Sequence, residues 1–371
     1  MSFMLKLSAL DVFHSSINNP STAIEYDNKL RRFEEFLEIS DWDKYIKKDP
    51  NEIHDDLTFY INALKKENIK NRTIKSMMNS VFLMLEMNRV VLHKKILHKM
   101  LPDDGTTEGG NLPYTTEEIH AMLDSTDRLR VKALIHFLAS TGSRPAGITD
   151  PVLRMKHLKK IEDCVAIKIY DGSKEGYWSF LTPEAVTMLR KYHNSRKLSG
   201  EKFTDETPVF SNINNSRNSK GGPISTATAR DVIYRVLRKS QIERTKNGKR
   251  FDKAAIYGFR KRFNTILKLN NDVNSNIAEK LMAHKRGLDG TYLQPTMEEC
   301  FNEFKKAIPE LTIDGTARKQ VELDKVKEEK SELQKANEEL MQMKEQNEIL
   351  WNEYKKNTIS CNPDNAELVT E

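Results

Sequence analysis

The chain contains 371 residues, long enough for two domains of ordinary size. Lys and Arg total 60 against 54 Asp and Glu, an excess too small to indicate nucleic-acid binding by itself. The three cysteines are widely spaced, which excludes a disulfide framework and a CxxC zinc site, and no apolar run approaches the roughly 18 residues that cross a bilayer. We therefore expect a soluble protein of the reducing cytoplasm.

The first hundred residues show the spacing of helices and few signs of strands. Apolar side chains recur at intervals of three and four within 24–37, and again within 57–64 and 74–85. The pattern predicts a small all-helical domain at residues 15–102. Its basic side chains, Lys75 among them, suit contacts with a DNA backbone, although the same composition also suits a protein-binding bundle.

Residues 103–113 have the composition of an exposed linker, rich in glycine and threonine and poor in apolar side chains. A second domain is expected to follow. Thr115 precedes Glu118 by three positions, the capping-box spacing that opens a helix. A further helix at 129–140 leads directly into the string TGSR, which ends at Arg144.

A change of pattern predicts a β-hairpin between Cys164 and Leu181. Apolar side chains alternate along 165–169, Asp and Gly at 171–172 supply a turn, and extended character resumes after it. Lys174 falls near that turn. Thr and Pro directly after Leu181 then predict the start of a new helix.

Later segments with helical patterns complete a mainly α-helical second domain at residues 114–312. They are 226–239, 255–269, 277–283 and 297–307. Basic charge is concentrated here, since thirteen Lys or Arg stand against three Asp or Glu between Arg230 and Lys268. This concentration favours contact with phosphate over an ordinary solvated face.

Residues 318–356 are rich in Glu, Lys, Gln and Leu and show a heptad repeat. Positions of the first seam set are Val326, Leu333, Leu340, Asn347 and Tyr354. Asn347 and, three residues beyond Val326, Glu329 interrupt the seam, so the pattern fits either a lone solvated helix or a short coiled coil that joins protomers. We favour the coiled coil and expect residues 357–371 to be disordered.

Five side chains scattered through the second domain fit chemistry at a phosphodiester. They are Arg144, Lys174, Arg260, His284 and Tyr292. Four of them can face a phosphate, and the fifth carries a hydroxyl that can attack phosphorus. Cleavage without water or metal needs such a nucleophile, groups that stabilise charge on the non-bridging oxygens, and a proton for the departing 5′ oxygen.

The sequences around these residues resemble the tyrosine recombinase, or phage integrase, family. They are TGSR at 141–144, YGFRK at 257–261 and LMAH at 281–284, with Tyr292 eight residues after the histidine. Archaeal-type integrases are the most similar branch, and the resemblance covers roughly residues 15–312. It implies a mainly α-helical protein with a small β-hairpin or sheet, in which a helical, SAM-like core-binding domain clamps DNA and a second domain is catalytic.

The resemblance also implies a role for each residue. Tyr292 is the nucleophile that forms a phosphotyrosyl ester. Arg144 and Arg260 bind the non-bridging oxygens, for which the guanidinium fork is suited at any physiological pH. His284 donates a hydrogen bond to the same phosphate or assists proton movement from Tyr292.

Lys174 on the hairpin is the expected general acid for the leaving 5′ oxygen, and Lys168 is the alternative. Further basic side chains are predicted to contact DNA. These are Lys261, Arg262, Arg235, Arg238, Lys239 and Lys75.

The sequence departs from the family pattern at several positions. Tyr257 stands where a histidine is frequent, and its hydroxyl can still bind phosphate as an additional catalytic group. Gly147 stands where an acidic residue commonly braces the first arginine motif. Ala283 replaces the usual glycine before His284.

The predicted function is site-specific recombination or integration of DNA, with no cofactor and no metal, in the cytoplasm at the nucleoid. Double-stranded DNA is the expected partner. The expected assembly is a homo-oligomer, a tetramer on DNA, and accessory DNA-binding factors are further candidate partners. The sequence leaves open whether such an enzyme serves a virus, an integrated mobile element or the resolution of chromosome dimers. The alternatives are DNA relaxation like that of a type IB topoisomerase, and a non-catalytic DNA-binding protein derived from a recombinase.

Overall fold

The computed structural model describes residues 7–103, 110–212, 222–247, 250–284 and 292–361. Within these ranges, no helix is both long and apolar enough to span a bilayer. The chain divides into two compact units, residues 1–107 and 108–371. The predicted linker straddles this division, and its residues 104–109 lie outside the described ranges.

The N-terminal unit is helical, as its apolar periodicity indicates. Its described helices are α1 (Ala9–Ser15), α2 (Pro20–Leu37), α3 (Trp42–Tyr45), α4 (Pro50–Lys66), α5 (Asn71–Met87) and α6 (Lys94–Lys99). The buried ring of Phe33 contacts the rings of Trp42, Tyr45 and Tyr60, which ties α2, α3 and α4 into one core.

Helix α1 extends this unit upstream of residue 15, where the sequence analysis placed its start. Ser8 and Asp11 form a capping box at its N-terminus, and Ala9 and Phe13 are buried in the same core as α5. A helix of seven residues is too short to show a helical period, so the sequence pattern did not indicate it.

The second unit is also mainly helical. Its described helices are α7 (Thr116–Asp124), α8 (Leu129–Thr141), α9 (Ala146–Thr149), α10 (Pro183–Leu198), α11 (Thr226–Lys239), α12 (Tyr257–Leu269), α13 (Ser275–Lys280), α14 (Met297–Lys306), α15 (Ile308–Leu311) and α16 (Gly315–Cys361). The capping box of Thr115 and Glu118 is present at the start of α7, and Pro183 lies in the first turn of α10.

An antiparallel sheet of β1 (Leu158–Ile161), β2 (Cys164–Ile169) and β3 (Tyr177–Leu181) contains the predicted hairpin. Pairing of Ile169 with Tyr177 leaves residues 170–176 as the connecting loop. The sequence analysis missed β1, because the lysines at its two central positions hide the strand alternation. Four two-residue strands form two further pairs: β4 (Ser211–Asn212) with β5 (Gly222–Pro223), and β6 (Lys246–Asn247) with β7 (Arg250–Phe251).

The sheet has buried side chains on both faces. Ile167 and Ile169 belong to one core together with α8 and α10, whereas Ala166 and Phe180 belong to a second core with α12, α13 and α14. Helix α8 is buried along most of its length and packs against both α10 and α12. Apolar packing in the two cores, one on each face of the sheet, therefore fixes the positions of α8, β2 and α12.

Candidate active site

Arg260 brings the three predicted motifs together. It lies in the first turn of α12, and only 7% of its surface is exposed. Its Nη1 donates a hydrogen bond to the carbonyl oxygen of Gly142 at 2.8 Å, and its Nη2 donates to the carbonyl oxygen of Met282 at 2.6 Å and to Nε2 of His284 at 2.9 Å. One guanidinium group thus joins the end of α8, the start of α12 and the segment after α13.

Two glycines allow close packing around α12. Gly142 ends α8 with φ 55°, in the left-handed region, and a Cβ there would lie 2.7 Å from the Phe263 side chain. Gly258 in α12 packs so closely on the ring of Tyr114 that a Cβ would overlap it. Glycine at 142 lets α12 approach the end of α8 closely enough for Arg260 to reach the Gly142 carbonyl, and glycine at 258 lets α12 pack on Tyr114.

Arg144 completes a pair of arginines. It is half-buried in the turn between α8 and α9. Burial, and then the positive charge of Arg144, lower the pKa of Arg260, although an arginine stays protonated at physiological pH. The acceptors of Arg260 given above are all neutral, so they do not offset the repulsion between the two cations. An anion at this position would remove that repulsion.

His284 is held in one tautomer. Arginine can only donate, so Nε2 of His284 accepts from Arg260, and Nδ1 must donate to Oε2 of Glu279 at 2.6 Å. Burial lowers the pKa of His284, and Arg260 lowers it further, while Glu279 opposes both. The ring is therefore neutral near pH 7.

Glu279 is a site residue that the sequence analysis did not identify. It is buried in α13 and also accepts from Nζ of Lys268 at 2.8 Å. Burial alone would raise the pKa of Glu279, but the hydrogen bonds from Lys268 and His284 outweigh it and keep that pKa below the ordinary range. The side chain is therefore a carboxylate that orients the imidazole.

Ala283 explains how Glu279 reaches His284. Its φ of 53° is left-handed, and this turn lets the backbone N–H of His284 bond back to the carbonyl oxygen of Glu279 at 2.9 Å. The same conformation gives a physical reason for glycine at this position in the family. An acidic residue five positions before His284 is the signal that points to Glu279 in the sequence.

Tyrosines surround the arginine pair. Tyr257 starts α12 one turn before Arg260 and is 50% exposed. Tyr177 is buried beside both arginines, and its burial raises its pKa to about 12. Tyr170 lies close to Arg144 and has φ 54°, an uncommon conformation for so large a side chain. The sequence analysis missed Tyr170 and Tyr177, since alternation alone does not show which face of a hairpin meets the arginines.

The two candidate lysines of the hairpin have different surroundings. Lys174 is exposed in the loop between β2 and β3. Nζ of Lys168 lies 4.6 Å from the ring centroid of Trp178, on the face of the sheet opposite to Ile169 and Tyr177. Because Tyr177 is on the arginine side, this arrangement favours Lys174 over Lys168 as the general acid.

Tyr292 is 77% exposed. It lines a cavity of about 330 Å³ together with residues of α13 and α14 and the segment between Tyr292 and α14. Residues 285–291, which connect it to His284, lie outside the described ranges. The structure thus groups Arg144, Arg260 and His284, and places Tyr292 at a cavity lined by α13 and α14.

Some of the side chains predicted to contact DNA are exposed, whereas others form hydrogen bonds or ion pairs within the protein. Arg235, Arg238 and Lys239 are exposed on α11. Lys261 is half-buried and donates to Oδ1 of Asn111 at 3.3 Å, and burial lowers its pKa. Lys75, in the N-terminal unit, forms an ion pair with an aspartate at 3.0 Å.

Arg262 corrects the sequence analysis, which grouped it with its basic neighbours as a DNA contact. It is buried, with 4% of its surface exposed, and donates to the carbonyl oxygens of Glu310 at 2.8 Å and Leu311 at 3.3 Å and to Oγ1 of Thr116 at 3.1 Å. Its cation thus satisfies the carbonyl end of α15. We assign it a structural role.

A departure from the family pattern also has a steric reason. Gly147 is buried in α9, and a Cβ there would lie 2.9 Å from Cγ2 of Ile169. The strand β2 thus fills the space that an acidic side chain would need. Within the described part of the chain, Glu279 of α13 supplies an acidic group to this cluster through its contact with His284.

Comparison with known proteins gives a family for this domain. Residues 114–290 match the phage integrase family, and among curated proteins none matches the chain. Among solved structures, the chain is similar to XerA recombinase (17% identity, 80% of this chain and 95% of that one, TM-score 0.37) and to a lambda integrase dimer bound to a COC′ core site (13% identity, 77% and 94%, TM-score 0.49). It is also similar to the integrase of mycobacterium phage Brujita (14% identity, 84% and 95%, TM-score 0.40).

The family match includes Arg144, Lys174, Arg260 and His284 and ends two residues before Tyr292. The resemblance to the archaeal branch stays a prediction. Residues 114–290 thus form a phage integrase domain, the catalytic domain of tyrosine recombinases.

Proposed function

We propose that the chain is a site-specific DNA recombinase that cleaves and rejoins strands through a 3′-phosphotyrosyl intermediate at Tyr292. The observation that supports this most is the arrangement of Arg260, whose guanidinium is fixed by two carbonyl oxygens beside Arg144 and His284. Among the described residues, the acceptors of Arg260 include no carboxylate, and two adjacent arginines in such surroundings make a site suited to a phosphodiester.

The first step is attack of the Tyr292 oxygen on phosphorus. A bond forms between that oxygen and phosphorus, and the bond from phosphorus to the 5′ oxygen breaks. Arg144 and Arg260 stabilise the charge that develops on the non-bridging oxygens. This step needs Tyr292 and the arginines to meet at one phosphate, within one protomer or between two.

Protons move at two positions in this scheme. His284 is neutral with Nε2 as its acceptor, so it is suited to take the proton of the Tyr292 hydroxyl once a phosphate engages Arg260. Glu279 at Nδ1 stabilises the imidazolium that results. Lys174 donates a proton to the departing 5′ oxygen, and the reverse reaction with a 5′ hydroxyl reseals the strand.

DNA is expected to lie along the exposed basic side chains of α11. The hydroxyl of Thr226 at the start of this helix lies 2.6 Å from that of Thr149 at the end of α9, which follows Arg144 directly. Arg235 and Arg238 therefore belong to a helix that starts next to the arginine motif. We assign the N-terminal helical unit to clamping the same duplex, and a tetramer around two duplexes as the working assembly.

Strand exchange between two duplexes tests the proposal. Random duplexes selected for binding to the Tyr292→Phe variant supply the target sequence. Two duplexes of unequal length that carry this sequence are then incubated with protein, and the products are sized on a gel. Reciprocal products are expected with the wild type and with the matched control Tyr26→Phe, and no cleavage or product with Tyr292→Phe.

The same experiment separates the alternatives. Relaxation of a supercoiled plasmid by the wild type, without joining of two duplexes, would show a topoisomerase and contradict the proposal. Binding without cleavage by the wild type would show a DNA-binding protein that has lost catalysis.

A further inference from the structure

One stripe along helix α16 is mostly apolar, and its described leucines, Met343 and Tyr354 are exposed. Seven positions follow one another at alternating steps of three and four residues: Leu333, Ala336, Leu340, Met343, Asn347, Leu350 and Tyr354. The exposed fractions of Leu333, Leu340 and Leu350 are 66%, 47% and 61%. An isolated helix gains little stability in water, so a stripe of this length calls for a covering surface.

We propose that this stripe binds the same stripe of a second copy of the chain, as a parallel, in-register, two-stranded coiled coil over residues 333–354. Steps of three and four residues give the repeat of 3.5 that keeps one stripe facing another along a left-handed supercoil. The stripe is complementary to itself, because its leucines and Met343 supply both the inserted side chains and the spaces that receive them.

Asn347 selects the parallel arrangement with two strands. It occupies a first seam position, the same heptad position as Leu333 and Leu340. In a parallel in-register pair, each first seam residue meets its own copy, so the two Asn347 amides can hydrogen-bond to each other. In an antiparallel pair, the first seam position packs against the second, and each amide would be buried against an apolar side chain.

The charges that flank the stripe favour the same arrangement. Glu339 directly precedes Leu340, a residue of the first seam set. Lys344 directly follows Met343, which belongs to the second seam set, three residues further along each heptad. Parallel pairing places Glu339 of each helix next to Lys344 of the other, whereas antiparallel pairing brings flanking residues of the same heptad position together, so that Glu339 and Lys344 no longer meet. The opposite charges are thus used only in the parallel pair.

The stripe ends upstream at Glu329, the next seam position. Between this point and the catalytic unit, α16 is fixed at its base, where the carboxylate of Glu184 accepts from the backbone N–H groups of Ile313 at 2.7 Å and Asp314 at 3.1 Å. Parallel pairing therefore puts both catalytic units at the same end of the coiled coil, related by a two-fold axis along it.

That symmetry has a consequence for DNA, which rests on the proposed function: two protomers on inverted half-sites of one duplex are related by a two-fold axis as well. The pairing of α16 itself does not depend on cleavage. It can therefore be measured without DNA, and its failure would leave the proposed recombinase activity untouched.

The first experiment is sedimentation equilibrium of the full chain without DNA. The wild type is expected at twice the 42.9 kDa of one chain. Leu340→Lys puts a charge into the seam and should weaken self-association about 100-fold or more, whereas Gln342→Lys adds the same charge on the outer face and should leave it unchanged. A monomeric wild type, or a Leu340→Lys variant that associates like the wild type, would overturn the proposal.

The second experiment tests the orientation. Leu333→Cys and Leu350→Cys are made separately in a Cys361→Ser background, where the remaining Cys164 and Cys300 are buried. Parallel pairing predicts that mild oxidation crosslinks each variant with itself. A crosslink that forms only when the two variants are mixed would show antiparallel pairing and contradict the proposal.

Discussion

Oε2 of Glu279 lies 2.6 Å from Nδ1 of His284, and this contact leaves Nε2 of the ring as the acceptor that faces Arg260. Glu279 and His284, which are five residues apart, thus form one hydrogen-bonded chain with Arg260 of a different helix, from carboxylate to imidazole to guanidinium. In the proposed reaction, the carboxylate holds the ring orientation and stabilises the proton that the ring receives.

Glu279→Gln should lower the rate of strand cleavage about 10- to 100-fold, because the amide keeps the shape but not the charge. The carboxylate raises the pKa of His284, so its removal should lower that pKa further. Cleavage needs neutral His284 and falls as pH drops through its pKa, so the acidic limb of the pH–rate profile should move to lower pH.

The matched control for this prediction is Glu298→Gln, which removes an exposed carboxylate from α14. It should leave both the rate and the profile unchanged. A Glu279→Gln variant with a reduced rate but an unmoved acidic limb would indicate a role in folding alone.

Gly147→Glu should destabilise the second unit and should not improve activity, even though it restores the residue type common in the family. Its Cβ would press on Ile169 and its carboxylate would be buried, so the free energy of unfolding should fall by about 2 kcal/mol or more. Chemical denaturation measures this, with Ala146→Glu as the half-buried neighbour that should cost much less. Equal stability of Gly147→Glu and the wild type would refute the steric account.

Arg262→Ala should reduce stability rather than DNA affinity. It leaves the carbonyl oxygens of Glu310 and Leu311 without their charged donor, which should lower the free energy of unfolding by about 3 kcal/mol. The folded fraction should bind DNA with the salt dependence of the wild type, since this guanidinium is buried.

Arg238→Ala should show the opposite behaviour, because its side chain is exposed on α11. Stability should stay within about 0.5 kcal/mol. The slope of log binding constant against log salt concentration should become shallower by about 0.9 if the arginine neutralises one phosphate. An unchanged slope would remove α11 from the DNA surface.

The stability of the second unit should depend on pH through His193. This ring is buried, its Nε2 lies 3.0 Å from the carbonyl oxygen of Val209, and burial lowers its pKa from 6.5 to about 4. Protonation thus favours the unfolded chain, so its contribution to stability is complete above pH 6.5 and is lost as pH falls toward 4. Since one pKa unit corresponds to about 1.4 kcal/mol, the loss should approach 3 kcal/mol.

Urea unfolding at several pH values measures that loss. In His193→Gln the decline of the unfolding free energy between pH 6.5 and 4.5 should be smaller than in the wild type. His120→Gln, which changes an exposed histidine, should keep the full decline. Equal declines in the wild type and His193→Gln would show that other groups titrate in this range.

Periodicity in the sequence predicted most of the long helices and the hairpin, because each buries a regular face. The meeting of Arg144, Arg260 and His284 followed from a resemblance to a known family, not from periodicity. Glu279 could not be found in that way, since its contact depends on the left-handed turn at Ala283.

Three consecutive basic residues likewise look equivalent in the sequence at 260–262. Arg260 faces the site, Lys261 is half-buried at the surface, and Arg262 meets the end of α15. Only the packing of α12 between two cores distinguishes them. The exposed stripe of α16 was visible as a heptad pattern. Of its two interruptions, Asn347 favours parallel pairing because of its seam position, and Glu329 marks the upstream end of the stripe.

The role of Tyr292 as the nucleophile is tested most directly by locating its covalent bond to DNA. Wild-type protein is incubated with a nicked duplex that carries the selected target, so that the cleaved fragment diffuses away and the covalent complex accumulates. Protease digestion and mass spectrometry then locate the attached nucleotide. We predict a single modified peptide with the nucleotide on Tyr292, and none in Tyr292→Phe. Attachment to another residue, or cleavage without any adduct, would contradict it.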